Sequence, residues 1–376
     1  MSQSTAYIGK PTSRVDGPAK VAGTAKYAAE FNVPNLLYGY VVSSPIAKGK
    51  IIRIDSAAVR ALPGVHEVFS HENVPHYAFL DRNYKDDIAP GGSPFRPLHD
   101  AEIKYSLQPV AMVVADSFEL ARYAASVLQI EYEQEAHETE LLKHLDKAFE
   151  PGTGKAGYKP PKSRGNFGKG WKEGVNHMEA QYSHHAQHHN PMEMFATTVE
   201  WLGNKNLTIY DKTQGVFNSQ QVVSNIFGLS KEQARVISKY TGGGFGSGLR
   251  PQYQLFLAVM ASLQLERSVR VSLTREQMFS FGHRPETLQH VALATAADGR
   301  VRARPGVYLL AAPGKAAAAF TARTVFNRIR LDEFVAPAPT ALGPQARHTP
   351  PVQTAPNSPL PPARRPACGR FSAIDW

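Results

Sequence analysis

Five of the eight residues 241–248 are glycines, in the order Thr-Gly-Gly-Gly-Phe-Gly-Ser-Gly. This loop follows a predicted strand at residues 236–240 and precedes a strongly apolar predicted helix at residues 253–265. Glycine allows positive φ and lets a ligand approach main-chain N–H groups, and a loop that leads into a helix N-terminus can bind an anion. The spacing matches neither a Walker A loop nor Gly-x-Gly-x-x-Gly. Local geometry alone therefore leaves a ligand-binding loop and a plain tight turn equally open.

Strand and helix patterns alternate along the chain, which predicts an α+β (mixed α/β) fold. An apolar run of strand length occupies residues 109–115, and apolar residues then recur at helical spacing until a second strand at residues 129–132. Asp116, with Glu119 three residues later, is the predicted cap of this helix. We interpret these three elements as a β-α-β unit.

The second half of the chain shows the same alternation. Strand patterns at residues 196–201 and 207–211 precede a helix for which Asn218 is the predicted cap and Gly228 the stop. Gln214 lies between the second of these strands and the helix, and its side chain offers both a donor and an acceptor. On its own, an exposed loop amide is the better interpretation of this glutamine.

Composition divides the chain into four predicted regions, which are residues 1–145, 146–170, 171–304 and 305–376. The second region is rich in Pro, Gly and Lys, which predicts a linker between two domains. Residues 301–376 hold 12 of the 28 prolines and 16 alanines. Because hydrophobic periodicity disappears after Phe334, we expect a disordered tail or one translated in another reading frame.

The net charge of +10 is unevenly distributed. Residues 301–376 hold ten Lys and Arg against three acids, whereas residues 1–300 hold 32 basic and 29 acidic side chains. A nearly neutral body argues against a nucleic-acid partner. No apolar run approaches the ~18 residues of a membrane-spanning helix, and the polar residues 1–17 predict no signal peptide. Because Cys368 is the one cysteine, these residues cannot form a disulfide or ligate an iron–sulfur cluster among themselves.

Four histidines, His184, His185, His188 and His189, have the i,i+4 spacing that suits a metal site on a helix. However, the following Asn-Pro pair breaks a helix, and the flanking sequence has a strand pattern. No carboxylate stands where a zinc hydrolase needs its base. The sequence therefore argues against direct protein ligands for a metal in this segment. It also lacks the Gly-x-Ser-x-Gly motif of a serine nucleophile.

A series of short motifs in fixed order resembles the molybdenum-binding subunit of the xanthine dehydrogenase/aldehyde oxidase family. More narrowly, the chain is similar to the stand-alone large subunit of bacterial periplasmic aldehyde oxidoreductases. The motifs lie within residues 7–300 and are Arg14-Val-Asp-Gly-Pro-Ala-Lys-Val-Ala-Gly-Thr-Ala-Lys-Tyr27, Leu62-Pro-Gly-Val65, Gln108-Pro-Val-Ala-Met-Val-Val-Ala115, His189-Asn-Pro-Met-Glu193, Thr213-Gln214, Gly242-Gly-Gly-Phe-Gly246, Leu273-Thr-Arg-Glu276, His283-Arg-Pro285 and Ala297-Asp-Gly299.

The resemblance implies an a/b hammerhead domain followed by the first part of a molybdopterin-binding domain. It implies a molybdenum ion held by molybdopterin, usually as the cytosine dinucleotide, and oxidation of aldehydes to carboxylic acids with water as the oxygen source. By correspondence with the family, Gln214 lies beside the metal's oxo ligand. Gly243, Gly244, Phe245 and Gly246 then place backbone amides and a phenyl ring beside the metal.

The chain departs from the family pattern in two places. Purine hydroxylases have a glutamate shortly after the glycine loop, where this chain has Leu249. A leucine side chain cannot hydrogen-bond a purine, and an apolar wall suits an aromatic aldehyde. The family's catalytic glutamate corresponds to no residue here, because the resemblance ends near Arg304. We therefore expect this chain alone to be inactive, with part of the apolar helix 253–265 left exposed.

The same resemblance, together with the single cysteine, predicts separate iron–sulfur and FAD subunits that remove the electrons. The location is then periplasmic through a partner's signal, or cytoplasmic. Two alternative functions remain at this point. One is a purine hydroxylase subunit of the xanthine dehydrogenase type, and the other is a non-catalytic paralogue that acts only as a binding partner.

Overall fold

The computed structural model describes residues 9, 11–78, 81–84, 95–143, 148–149, 166–280, 284–303, 306–310 and 326–329. His283, Cys368 and most of the predicted linker and tail lie outside these ranges. Within them the helices are α1 (Gly17–Val21), α2 (Ala57–Arg60), α3 (Phe118–Val127), α4 (Phe167–Lys172), α5 (Val216–Phe227) and α6 (Tyr253–Leu265). The strands are β1 (Leu37–Ser43), β2 (Gly49–Asp55), β3 (Val65–Ser70), β4 (Glu102–Ile103), β5 (Pro109–Ala115), β6 (Gln129–Gln134), β7 (Ala148–Phe149), β8 (Asn176–His184), β9 (Ala196–Trp201), β10 (Leu207–Asp211), β11 (Ala234–Ile237), β12 (Val269–Ser272), β13 (Thr287–Thr295), β14 (Val301–Ala303), β15 (Gly306–Leu310) and β16 (Phe326–Ile329). The predicted mixed α/β class is confirmed.

The largest sheet of the described residues contains strands from both predicted domains, in the order β11-β10-β9-β12-β1-β5-β3. At its middle, β1 runs parallel to β12, with Leu37 opposite Val269. Leu37 N–H donates to Ser268 O at 2.8 Å, and Gln277 Nε2 donates to Val41 O at 2.7 Å. Strands β1, β3 and β5 therefore share one sheet with β9 to β12, and residues from both parts of the chain share one hydrophobic core.

Two smaller sheets complete the described part of the fold. One has the order β4-β2-β6, and the other has the order β14-β13-β15-β16-β7 with β8 paired to β13. Two of these strands, β15 and β16, lie within the segment predicted as a tail. The β-α-β interpretation of β5, α3 and β6 is wrong, because β5 belongs to the large sheet and β6 pairs antiparallel with β2. Helix α3 therefore connects two sheets instead of two strands of one sheet.

Burial on both faces explains why the sequence of β5 is an unbroken apolar run. All seven of its residues are buried, which requires cover on both faces of the sheet. Met112 and Val114 face the large core with α6, whereas Ala111 and Val113 face a second core against α3. The alternation of a strand thus divides one apolar sequence between two cores.

Helix α6 carries apolar residues around most of its circumference, and every residue from Tyr253 to Ser262 is buried. It packs against β9 and β12 on the sheet and against α5 beside it. The expectation that part of its surface is exposed is wrong for residues 253–262, because the sheet and the neighbouring helix already cover them, whereas Gln264 in the last turn is exposed. No helix in the described ranges is both long and apolar enough to cross a membrane.

Two helix caps differ from the predicted ones. Helix α3 is capped by Ser117, whose Oγ accepts from Leu120 N–H at 3.2 Å, and not by Asp116. Helix α5 begins at Val216 after the N-cap Gly215, two residues before the predicted cap Asn218. Ser117, next to Asp116, takes the extended conformation that a cap requires, whereas Gly215 caps α5 without a side-chain hydrogen bond. The predicted stop at Gly228, with φ of 66°, is confirmed.

The core position of α6 gives a stability prediction. Leu257 has no exposed surface, and Leu257→Ala should lower the free energy of unfolding by about 2–5 kcal/mol because it removes buried methyl groups and leaves a cavity. Leu202, 58% exposed, is the matched control, and Leu202→Ala should change it by less than about 0.5 kcal/mol. Denaturant unfolding measures both. Equal losses would place α6 outside the core.

Candidate cofactor site

The glycine-rich segment forms an open loop between β11 and α6. Gly243 and Gly246 have φ of +92° and +94°, a region that glycine adopts without cost. Phe245 also has a positive φ of 54°, which is strained for a bulky residue, and its ring is 65% exposed. Ser247 N–H and Oγ both bond Gly244 O, at 2.9 and 2.7 Å, and close the loop into a 3₁₀ turn. The loop therefore holds an exposed ring in a fixed, strained conformation.

Gln214 and the glycine loop, which the sequence separates by almost thirty residues, meet in space. Gln214 N–H donates to Gly248 O at 2.8 Å, and Gly248 N–H donates to Gln214 Oε1 at 3.1 Å. A Cβ atom on Gly244 would lie 2.3 Å from Gln214 Oε1 and 2.4 Å from its Cδ. Since Gly244 has an ordinary φ, glycine is required there by this contact and not by the backbone conformation.

Asp211, at the end of β10, is linked to the backbone around Gln214 through hydrogen bonds of hydroxyl groups. Thr197 Oγ1 donates to Asp211 Oδ1 at 2.6 Å, and Ser219 Oγ donates to Asp211 Oδ2 at 3.1 Å. Ser219 Oγ also lies 3.1 Å from Thr213 Oγ1, which donates to Gly248 O at 3.2 Å. Burial raises the pKa of Asp211 from 3.8 to about 6, although the hydroxyl donors favour its charged form.

Lys212 is the most unusual charged group near the loop. It is 2% exposed, its Nζ has no hydrogen-bond partner among the described residues, and Nζ lies 4.4 Å from the Phe195 ring centroid. Burial lowers the pKa of Lys212, and the negative charges of Glu193 and Asp211 oppose this change. Burial raises the pKa of Glu193, while hydrogen bonds from backbone amides hold it down.

Asp211, Lys212 and Ser219 had no predicted role, and Glu193 was named only as the last residue of a motif. The available signal was two adjacent charges, Asp211 and Lys212, directly after an apolar strand and directly before a loop. Charges at that position are ordinarily solvated.

Three apolar side chains of the loop and of the start of α5 are exposed. Leu249 is 49% exposed and Phe217 is 83% exposed, in addition to the Phe245 ring. Asn218 Nδ2 donates to Leu249 O at 3.2 Å, which ties the start of α5 to the end of the loop. Arg284 Nη2 donates to Phe245 O at 3.1 Å. The loop and the start of α5 therefore present apolar and aromatic side chains to solvent.

None of the four clustered histidines lies within a helix. His184 ends β8, which pairs with β13, and residues 185–189 form no helical turn. The helical i,i+4 spacing therefore has no structural counterpart. Within the described ranges, no group of three or more His, Cys, Asp or Glu residues could hold a metal ion.

Comparison with known proteins identifies both halves of the chain. The sequence model of the molybdopterin cofactor-binding domain matches residues 151–322, and that of the aldehyde oxidase and xanthine dehydrogenase a/b hammerhead domain matches residues 22–136. The chain is 33% identical over 299 residues to the aldehyde oxidoreductase molybdenum-binding subunit PaoC of Escherichia coli K12, covering 79% of this chain and 39% of that protein. It is 29% identical over 277 residues to the xanthine dehydrogenase molybdenum-binding subunit of Escherichia coli O157:H7, covering 71% and 36%.

A solved structure of the aldehyde oxidoreductase from Desulfovibrio gigas has the same fold over the matched region. The TM-score is 0.67 at 23% identity, over 79% of this chain and 34% of that chain. The chain spans 39% and 36% of the length of the two curated relatives above. The similarity therefore covers only part of each relative. The match to the molybdopterin cofactor-binding domain, residues 151–322, includes Gln214 and the glycine loop.

The buried Asp211 predicts a pH-dependent stability. Unfolded, it loses its proton near pH 3.8, whereas the folded group keeps it to about pH 6, so stability falls as pH rises through this window. The difference between the two pKa values corresponds to about 3 kcal/mol. Relative to wild type, Asp211→Asn should therefore gain up to about 3 kcal/mol of unfolding free energy between about pH 4 and about pH 7. Denaturant titrations at both pH values measure it, and a pH-independent difference contradicts it.

Proposed function

The chain belongs to the xanthine dehydrogenase/aldehyde oxidase family, as part of a molybdenum-binding subunit, and from this premise we propose that it serves an aldehyde oxidoreductase. That enzyme oxidises aromatic aldehydes to carboxylic acids, with water as the source of oxygen. The observation that carries the proposal is the contact of Gln214 with the glycine loop at Gly244 and Gly248.

The residues present fit a molybdopterin cofactor. Gln214 Oε1 accepts the hydrogen bond from Gly248 N–H. Gln214 Nε2 makes no hydrogen bond to the described residues and can therefore donate to a ligand. Gly246 faces open space, since no atom lies within 4 Å of a Cβ built on it. Gln214 would hold the metal end of the cofactor through Nε2, and the loop amides with the Phe245 ring would line its side. When bound, the cofactor supplies the two-electron oxidation and the oxygen transfer; we propose its cytosine dinucleotide form.

The substrate class rests on the exposed apolar side chains of the glycine loop and of the start of α5. Leu249 and the exposed rings of Phe245 and Phe217 offer van der Waals contact to an aromatic substrate. The Leu249 side chain offers no donor or acceptor to a purine, and a heterocycle that loses hydrogen bonds on entering such a site binds poorly. This surface favours aromatic aldehydes over the purine hydroxylase alternative.

We further propose that iron–sulfur and FAD subunits accept the electrons, because the relatives include the molybdenum-binding subunit of an aldehyde oxidoreductase. The location is then periplasmic through a partner's signal, or cytoplasmic. The assignment of the family's catalytic glutamate to a position outside this chain stays a prediction.

The substrate proposal predicts a preference for benzaldehyde over xanthine, which one substitution should weaken. The enzyme purified with its partner subunits should have a higher kcat/KM for benzaldehyde than for xanthine. Leu249→Glu should lower kcat/KM for benzaldehyde by roughly 10- to 200-fold, because it replaces an apolar contact with a charge. Leu202→Glu, at an exposed leucine remote from the loop, is the control and should leave the value unchanged. A wild-type preference for xanthine would overturn the substrate class.

The Gln214 contact predicts the effect of a single methyl group. Gly244→Ala should displace the Gln214 amide and lower both the molybdenum content and turnover, the latter by about 10²-fold as for loss of one preorganised donor. Gly168→Ala, where the nearest atom would lie at an ordinary 3.6 Å, is the control. Metal analysis and steady-state kinetics measure both variants. Full molybdenum content and wild-type turnover in Gly244→Ala would remove the contact from the cofactor site.

A further inference from the structure

Glu193 ties three separate segments together directly behind the glycine loop. Its Oε2 accepts from Gly242 N–H at 2.7 Å, and its own N–H donates to Gly242 O at 3.0 Å. Its Oε1 lies 3.4 Å from Ala28 N, which donates to it. Ala28 O in turn accepts from Thr198 Oγ1 at 2.8 Å. One carboxylate thus connects the N-terminal arm, the segment before β9 and the first glycine of the loop.

The contact between Glu193 and Gly242 is too close for any other residue at position 242. A Cβ atom on Gly242 would lie 2.6 Å from Glu193 Cβ and 3.3 Å from the Tyr27 ring. The paired hydrogen bonds therefore fix the backbone immediately before Gly243 and Gly244. Because Gly244 in turn touches Gln214, any movement of Gly242 changes the distance between the loop and the Gln214 amide.

Lys212 provides the charge that a half-buried carboxylate needs. Its ammonium is buried without a hydrogen bond to the described residues, and Glu193 and Asp211 are the two negative groups that act on it. Both Asp211 oxygens already accept hydroxyl hydrogen bonds from Thr197 and Ser219. A buried ammonium is costly unless opposite charge compensates it, and a buried carboxylate has the same need.

We propose that Glu193, with Lys212 as its buried counter-charge, is a positioning residue that sets the glycine loop against the Gln214 amide. The consequence for the cofactor rests on the proposed function, whereas the consequence for the loop does not. Charge compensation between the two groups makes the loop position depend on both of them. The backbone hydrogen bonds give the direction of the carboxylate and favour its charged form, and the ammonium of Lys212 adds to this effect.

The test is a double-mutant cycle with Glu193→Gln and Lys212→Met, read by hydrogen exchange of the amides in residues 242–249. Gln keeps the size of Glu, and Met keeps the length of the lysine stem over the Phe195 ring. Glu193→Gln should speed exchange of these amides by at least about tenfold, because it weakens a charge-assisted bond and leaves Lys212 uncompensated. Amides of β5, residues 109–115, should be unchanged.

In the Lys212→Met background the same substitution should have an effect at least about threefold smaller, because no ammonium is left without its counter-charge. Glu200→Gln on β9 is the matched control and should not change exchange in the loop. Equal effects of Glu193→Gln in both backgrounds would overturn the counter-charge role of Lys212. Unchanged loop exchange in Glu193→Gln would overturn the positioning role of Glu193.

Glu193→Asp covers the case in which Glu193→Gln fails to fold. It keeps the charge but shortens the side chain, so it should speed loop exchange while leaving the β5 amides protected. In the cofactor-loaded enzyme, Glu193→Asp should lower kcat more than it raises KM. If loop exchange responds as stated and no molybdenum is found in any form, the proposed function fails and the positioning role of Glu193 stands.

Discussion

The contact between the Gln214 side chain and Gly244 is the constraint on which the rest of the site depends. The carboxamide lies where a side chain at position 244 would have to be, so glycine and glutamine specify one another across the fold. Hydrogen bonds with Gly248 fix which way the amide faces and leave Nε2 free of the described residues. The proposed binding of the cofactor depends on that one donor.

The sheet brings this contact about by joining distant parts of the chain. Strand β10 ends at Asp211, three residues before Gln214. Helix α6 follows the glycine loop and is buried against β9 and β12 of the same sheet and against α5. The loop and Gln214 therefore start from two rigid elements. The N-terminal arm adds a third fixed point through Ala28 and Glu193. A site built this way can hold a strained residue such as Phe245 in place.

Local patterns were sufficient for β5, β9, β10 and α6, whose predicted bounds match the structure. They were insufficient for the caps at Ser117 and Gly215, because Asp116 and Asn218 are also good capping types and tertiary packing decides which residue takes the position. The β-α-β unit failed because sheet membership depends on pairing partners remote in sequence. The burial of α6 was predicted incorrectly because the sequence of a helix does not show which other elements pack against it.

The site divides in the same way. The glycine loop and Gln214 were found through the motif resemblance, yet nothing local indicated that Asp211 and Lys212 are buried, because adjacent charges ordinarily face solvent. Their roles follow only from the packing of β10 beneath the loop. Buried charges of this kind are found from the structure, through an ammonium without a hydrogen bond to the described residues and a carboxylate with two hydroxyl donors.

Binding of molybdopterin at the loop beside Gln214 is the proposal on which the other functional proposals depend. It is tested by comparing hydrogen exchange of the cofactor-loaded and cofactor-free protein. Bound cofactor should slow exchange of the amides in residues 243–249 and leave the amides of β5 unchanged. Protein that carries molybdenum but shows no added protection in residues 243–249 would contradict it.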